Sequence, residues 1–179
     1  MTDFKLHDTD SAPEDSKPLL ANSEKAFGMI PNLHAVFAEA PGILKAYQDI
    51  HELFVNSSFN KNEITVVWQT INVYHSCHYC VPAHTAIAKQ MGADDAITEQ
   101  IKAGDALNDQ KLQALRLFTE AMLDKRGRVT DSDLQAFFDA GYNKRQVLEV
   151  ILGIAQKTMS NYTNAVADTP VDEPFKKFS

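Results

Sequence analysis

Between Pro41 and Ala155 apolar residues recur at helical spacing in stretches opened by capping residues, and no segment alternates with period two between Gly or Asn turns. Parallel βαβ units would need β-branched runs that are missing, so the pattern predicts an all-α, single-domain helical bundle. Pro31 opens a short helix. Pro41 suits the first turn of another running to about Asn56, with Ile43, Leu44, Tyr47, Ile50, Leu53 and Phe54 on one face. Asn60 and Glu63 have capping-box spacing ahead of Ile64, Val66, Val67, Trp68, Ile71 and Val73, which predicts a helix from Lys61 to about His75. The next helix is expected from Cys77 to Met91, closed by Gly92. Further starts are Asp94 before Ile97, Asn108 before Leu112, Thr130 with Asp133, and Asn143 with Gln146.

A chain of 179 residues with 44% hydrophobic content can bury one sizeable core. Residues 1–23 mix Asp, Ser, Pro and Lys without helical periodicity and are expected to form a wrapping or partly disordered arm, with residues 24–179 expected to form the helical domain. With 17 Lys+Arg against 24 Asp+Glu the net charge is −7, and neither Asp124–Arg128 nor Lys176–Lys177 makes a basic patch, so nucleic acid is excluded as a partner. Even Ile64–Tyr74 is broken by Thr65, Gln69, Thr70 and Asn72, far short of the roughly 18 apolar residues a membrane span needs. Met1–Ala12 is polar and lacks the features of a secretory signal, so a soluble, cytoplasmic protein is expected.

Two cysteines cannot staple a chain of this size, which turns attention to where they stand. The segment His75-Ser76-Cys77-His78-Tyr79-Cys80-Val81-Pro82-Ala83-His84 puts two thiols and an imidazole at i, i+3 and i+7, on one face if all are helical. A helix N-terminus and a neighbouring imidazole both favour thiolate, the nucleophilic form of cysteine. A second thiol three residues away can trap a sulfenic acid as a disulfide before further oxidation. Two other readings use the same residues: cysteines as small core side chains, or a zinc site of Cys77, Cys80 and His84 with His75 or His78. Thioredoxin shares the spacing, but there the motif follows a strand, and here a helix precedes it.

At these residues the sequence resembles the alkylhydroperoxidase D-like branch of the carboxymuconolactone decarboxylase family, whose signature is CxxC followed by a histidine four residues after the second Cys; Cys77, Cys80 and His84 match it. The likeness extends over Phe27–Leu33 and Asn161–Asn164, and so over roughly residues 24 to 172. It implies an all-helical subunit assembling into dimers, trimers or hexamers, which reduces a small hydroperoxide with electrons from a dithiol donor, a lipoyl-bearing or thioredoxin-like protein. By carry-over Cys80 is the peroxide-attacking thiol, Cys77 the resolving thiol, and His84 part of a proton relay; no cofactor or metal is called for. The family's active members place a glutamate twelve residues before the first Cys, where this chain has Thr65. Thr65 and Gln69 share one helical stripe with Trp68 and Asn72, and one of the two is expected to orient His84 through water. Tyr79 packs or donates to a bound peroxide. Glu63 is read as a cap, His75 and His78 as surface or capping residues, and His34 and His51 as ordinary helix residues; Asn161–Asn164 are left undecided. The rival function is a disulfide redox sensor or general disulfide reductase without efficient peroxide turnover, with lactone decarboxylation well behind.

Overall fold

A computed structural model describes residues 4–179. Among these there is no strand, and nine α-helices follow one another: α1 Lys17–Phe27, α2 Asn32–Phe37, α3 Pro41–Val55, α4 Lys61–Tyr74, α5 Cys80–Met91, α6 Asp95–Ala103, α7 Gln110–Asp124, α8 Asp131–Asp139 and α9 Lys144–Ala167, with 3-10 turns at Glu14–Ser16 and Glu173–Phe178. The predicted all-α class is the observed one. Three helices start with reciprocal capping boxes, Asn60/Glu63, Thr130/Asp133 and Asn143/Gln146, each satisfying backbone N–H groups that the first turn leaves without partners. Glu63 is structural, as its spacing predicts: its carboxylate accepts from Asn60 N–H at 2.9 Å and stands 3.2 Å from the Lys111 ammonium.

Three boundaries differ from the sequence expectation. Helix α7 is capped by Asp109 rather than Asn108, because the Asp109 carboxylate reaches the N–H groups of both Lys111 and Leu112 and its charge also suits the helix dipole. Helix α1 crosses the position where the arm was expected to give way to the domain; Leu20 is fully buried and Ser23 is nearly so, a short amphipathic face too polar in composition to stand out from its surroundings. Cys77 lies before α5 rather than on it, a difference that shapes the site.

Helix α4 is the centre of the bundle, buried along its whole length from Glu63 to Asn72 and packed against α5, α6, α7 and α9. Phe54, Trp68, Phe118, Phe137 and Tyr142 dominate one core cluster, and Leu20, Leu33, Phe37, Leu44 and Tyr47 a second, which also contains Cys77, Tyr79 and Cys80. Helix α9 runs about 36 Å along this core. It comes close to α3 and α4 because Gly153 has no side chain: a Cβ there would stand 2.8 Å from both Phe54 and Val67. A helix buried on all sides is ordinarily apolar throughout. Both α4 and the inner face of α9 instead bury polar groups, and these converge on the cysteines.

Candidate active site

The turn from α4 to α5 places the first cysteine. Ser76 adopts the left-handed conformation (φ 51°), and the N–H groups of Cys77 and Ser76 fold back on the carbonyls of Asn72 and Val73 at 3.0 and 2.9 Å, the two bonds of a Schellman motif. The chain thereby reverses so that Cys77 precedes α5 and Cys80 begins it. Cys77 Sγ then takes the place of a cap, accepting from Cys80 N–H at 3.1 Å, while its carbonyl accepts from Val81 N–H at 3.1 Å. Only Cys80 and His84 share the helical face that the spacing predicts for all three groups.

The two sulfurs are within disulfide-bonding distance, with Cα atoms 5.3 Å apart, and both residues are buried. The Asn164 amide of α9 donates to Cys80 Sγ at 3.3 Å and lies 3.9 Å from Cys77 Sγ. Behind it, Asn161 donates to Asn72, and Asn72 donates to Gln69 and to the Cys80 carbonyl, so four amide side chains tie α4 and α9 to the start of α5. The side-chain oxygens of Asn161 and Asn164 are buried without a partner. An N–H aimed at sulfur stabilises a thiolate, and a neighbouring unpaired carbonyl oxygen can accept from a thiol or hydroxyl; the site can serve either protonation state.

His84 is fixed at both ring nitrogens. Nδ1 donates to the Cys80 carbonyl at 3.1 Å, which leaves Nε2 as acceptor, and the Lys157 amine donates to it at 3.1 Å. Lys157 is fully enclosed, and among the described residues no carboxylate lies within ion-pair distance of it. Burial pulls the Lys157 amine well below its ordinary range; burial and Lys157 together do the same to His84. His51 is likewise lowered, to about 4, by burial and Lys157. It lies parallel to Trp68, whose indole N–H donates to Gln156 at 2.8 Å and whose ring meets His84 edge-on. The result is a cluster of basic groups whose protonation is disfavoured by burial.

On the outer side of His84 a cavity of about 670 Å³ opens between α1, α3, α5 and the C-terminal segment. Its walls are largely apolar, with Leu19, Phe27, Leu33, Ile87 and Phe175 among them, and its polar groups include the imidazoles of His34, His51 and His84. That is the size and chemistry of a small-molecule pocket. Tyr79, between the cysteines, forms part of the wall; its hydroxyl accepts from Leu33 N–H at 3.3 Å and donates to the Asp172 carboxylate, which also accepts from Asn32 N–H at 3.0 Å. The C-terminal segment is thus pinned to the CxxC motif.

These placements sort the sequence candidates. Cys77, Cys80 and His84 come together. Thr65 does not join them: its hydroxyl donates to the Lys61 carbonyl one turn back. Gln69 donates to the Val81 carbonyl and the Thr85 hydroxyl, bracing α5 without a hydrogen bond to the His84 ring. The place beside His84 expected for one of these two belongs to Lys157. Tyr79 uses its hydroxyl on Asp172, a contact from the far end of the chain that spacing could not show. His75 caps α4, and His78 reaches the Thr169 carbonyl at 2.9 Å, whereas His34 is buried and His51 half-buried at the cavity. Among the described residues no three His, Cys, Asp or Glu side chains converge as a metal site would require, and no helix is long and apolar enough to cross a membrane. Sequence reasoning passed over Lys157 and left Asn164 undecided. Their signal was the stripe Lys157, Ser160, Asn161 and Asn164, polar residues on the face where Val150 and Gly153 belong to the core.

Comparison with protein-family models and with curated proteins finds no match. Solved structures are similar throughout. A peroxidase-related protein from Ralstonia eutropha JMP134, described as an alkylhydroperoxidase AhpD core, superposes with TM-score 0.84 at 18% identity over 95% of this chain and 92% of its own. A peroxidase-related protein from Silicibacter sp. TM1040 gives 0.80 at 17% identity over 100% and 99%. The debrominase Bmp8, as a variant bound to 2,3,4-tribromopyrrole, gives 0.81 at 13% over 99% and 95%. Such a fold carrying a CxxC pair at disulfide distance fits a redox role. The likeness spans nearly the whole of both chains, and the chain has the alkylhydroperoxidase D-like fold.

Proposed function

We propose that the chain is a thiol-dependent oxidoreductase that cycles Cys77 and Cys80 between dithiol and disulfide, and that its oxidant is a small hydroperoxide. The observation that supports this most directly is the buried sulfur pair at disulfide distance with an amide N–H held on Cys80 Sγ. In the oxidative half, the Cys80 thiolate attacks the terminal peroxide oxygen, the O–O bond breaks, and the alkoxide leaves as the alcohol once protonated. Cys80 is then a sulfenic acid. The Cys77 thiolate attacks its sulfur, forming the disulfide and releasing water once protonated. In the reductive half a dithiol donor, lipoyl-bearing or thioredoxin-like, attacks one sulfur and leaves as its own disulfide. The cavity beside His84 gives the organic part of a hydroperoxide an apolar seat, and peroxidase-related proteins share the fold.

The test is steady-state turnover of cumene hydroperoxide and hydrogen peroxide with dithiothreitol as reductant. Cys80→Ser is expected to abolish turnover, Cys77→Ser to stop it after a single event, and His84→Ala to lower kcat by about 10²-fold or more. If the wild type forms its disulfide once and then stops, the protein is a redox sensor and the peroxidase reading fails.

A further inference from the structure

Resting on the dithiol–disulfide cycle above, we propose that Lys157 is the proton acceptor of the site: on reduction of the disulfide it takes up, with His84, the proton that balances the Cys80 thiolate.

Lys157 has 0% of its surface exposed, and among the described residues the one hydrogen-bond partner of its amine is His84 Nε2, at 3.1 Å. Among the described residues the titratable groups that face it are His84 from α5 and His51 from α3, with Tyr47 of α3 beside Ser160 and Gln156 of α9; Trp68 of α4 is uncharged. None is an acid that is ionised at neutral pH, since burial pushes the Tyr47 phenol up to about 12. A buried ammonium with no anion is strongly disfavoured, so in the disulfide state the pair stays neutral. Its hydrogen-bond geometry is poised all the same. His84 receives a proton only at Nε2, the atom the amine already faces, because Nδ1–H is committed to the Cys80 carbonyl.

Reduction supplies the missing anion. Cys80 and His84 stand one turn apart on the same face of α5, side chains about 6 Å apart. A thiolate at that distance, in an interior of effective dielectric about 20, raises the proton affinity of the pair about a hundredfold. With a dithiol donor the step balances as donor dithiol plus Cys77–Cys80 disulfide giving donor disulfide, Cys77 thiol, Cys80 thiolate and one proton shared by His84 and Lys157. Two electrons and two protons enter the site. The base thus comes from α9 rather than from α4, where a relay partner was expected, and it is an amine rather than a carboxylate.

Redox titration against dithiothreitol over a pH series, with the 240 nm thiolate absorbance recorded on the reduced protein, tests this. The wild type is expected to show thiolate absorbance while still taking up about two protons for two electrons. In Lys157→Gln, which keeps an N–H donor toward His84 but cannot bind a proton, uptake is expected to fall to about one wherever the absorbance shows thiolate. Lys157→Met, a volume match without the donor, is expected to do the same. Wild-type uptake of one proton in the thiolate range, or unchanged uptake in both variants, would overturn the proposal. Absence of any reversible two-electron couple would overturn the redox reading instead.

Discussion

Asn164 and Lys157 divide the work of a charged cysteine between them, one touching the sulfur and the other reached through His84. Asn164 contributes an N–H to Cys80 Sγ from a fully buried position, where a hydrogen bond to a charged acceptor is worth about 1.5–3 kcal/mol. Replacing it by leucine, close in volume and without the donor, is expected to raise the Cys80 thiol pKa and to slow iodoacetamide alkylation of the reduced protein at pH 7 about tenfold. Alkylation unchanged in rate would mean that the amide serves only to pack α9 against α5. The roles of Thr65 and Gln69 follow the same residue-level logic. A polar side chain on a buried helix must find a partner, and both found one on the backbone, Lys61 and Val81, before His84 came within reach.

At the scale of helices, what the sequence revealed were local signals. Asn60/Glu63, Thr130/Asp133 and Asn143/Gln146 cap helices where the spacing predicts, because capping is settled within four residues. The CxxC-histidine face was legible for Cys80 and His84 and not for Cys77, whose position depends on the left-handed Ser76, a residue type with no strong preference for that conformation. Lys157, Asn164 and the Tyr79–Asp172 contact were out of reach because sequence periodicity shows which residues are inside, not what they meet there. Gly153 is another such case. In an exposed helix Gly→Ala adds stability, but here the new Cβ would press on Phe54 and Val67, so Gly153→Ala is expected to destabilise the protein by about 1–3 kcal/mol in urea unfolding. A stabilised variant would show that α9 has room to shift away from α3 and α4.

For the whole molecule, the buried bases set how stability varies with pH. Burial lowers His34 to about 3 and His51 to about 4, from an ordinary value of 6.5. Between pH 6.5 and 4 the unfolded chain therefore binds protons that the folded chain refuses, and stability falls as the pH falls. Lys157 acts in the same sense on the alkaline side: below its ordinary value of 10.5 the unfolded chain carries the ammonium, so this contribution also grows as the pH rises. Unfolding midpoints in urea are expected to drop between pH 7 and pH 5 by the equivalent of roughly 1–2 kcal/mol per histidine. Replacing His34 by asparagine should flatten part of that slope, and a flat wild-type profile would contradict the buried, neutral imidazoles. The chain's one tryptophan lies within this cluster, stacked on His51 and edge-on to His84. An excited indole is quenched by a protonated imidazole and much less by a neutral one, so Trp68 is a built-in optical reporter. Its emission should dim when the disulfide is reduced in the wild type and hold steady in His84→Ala, which allows the proton to be followed in time without adding a label.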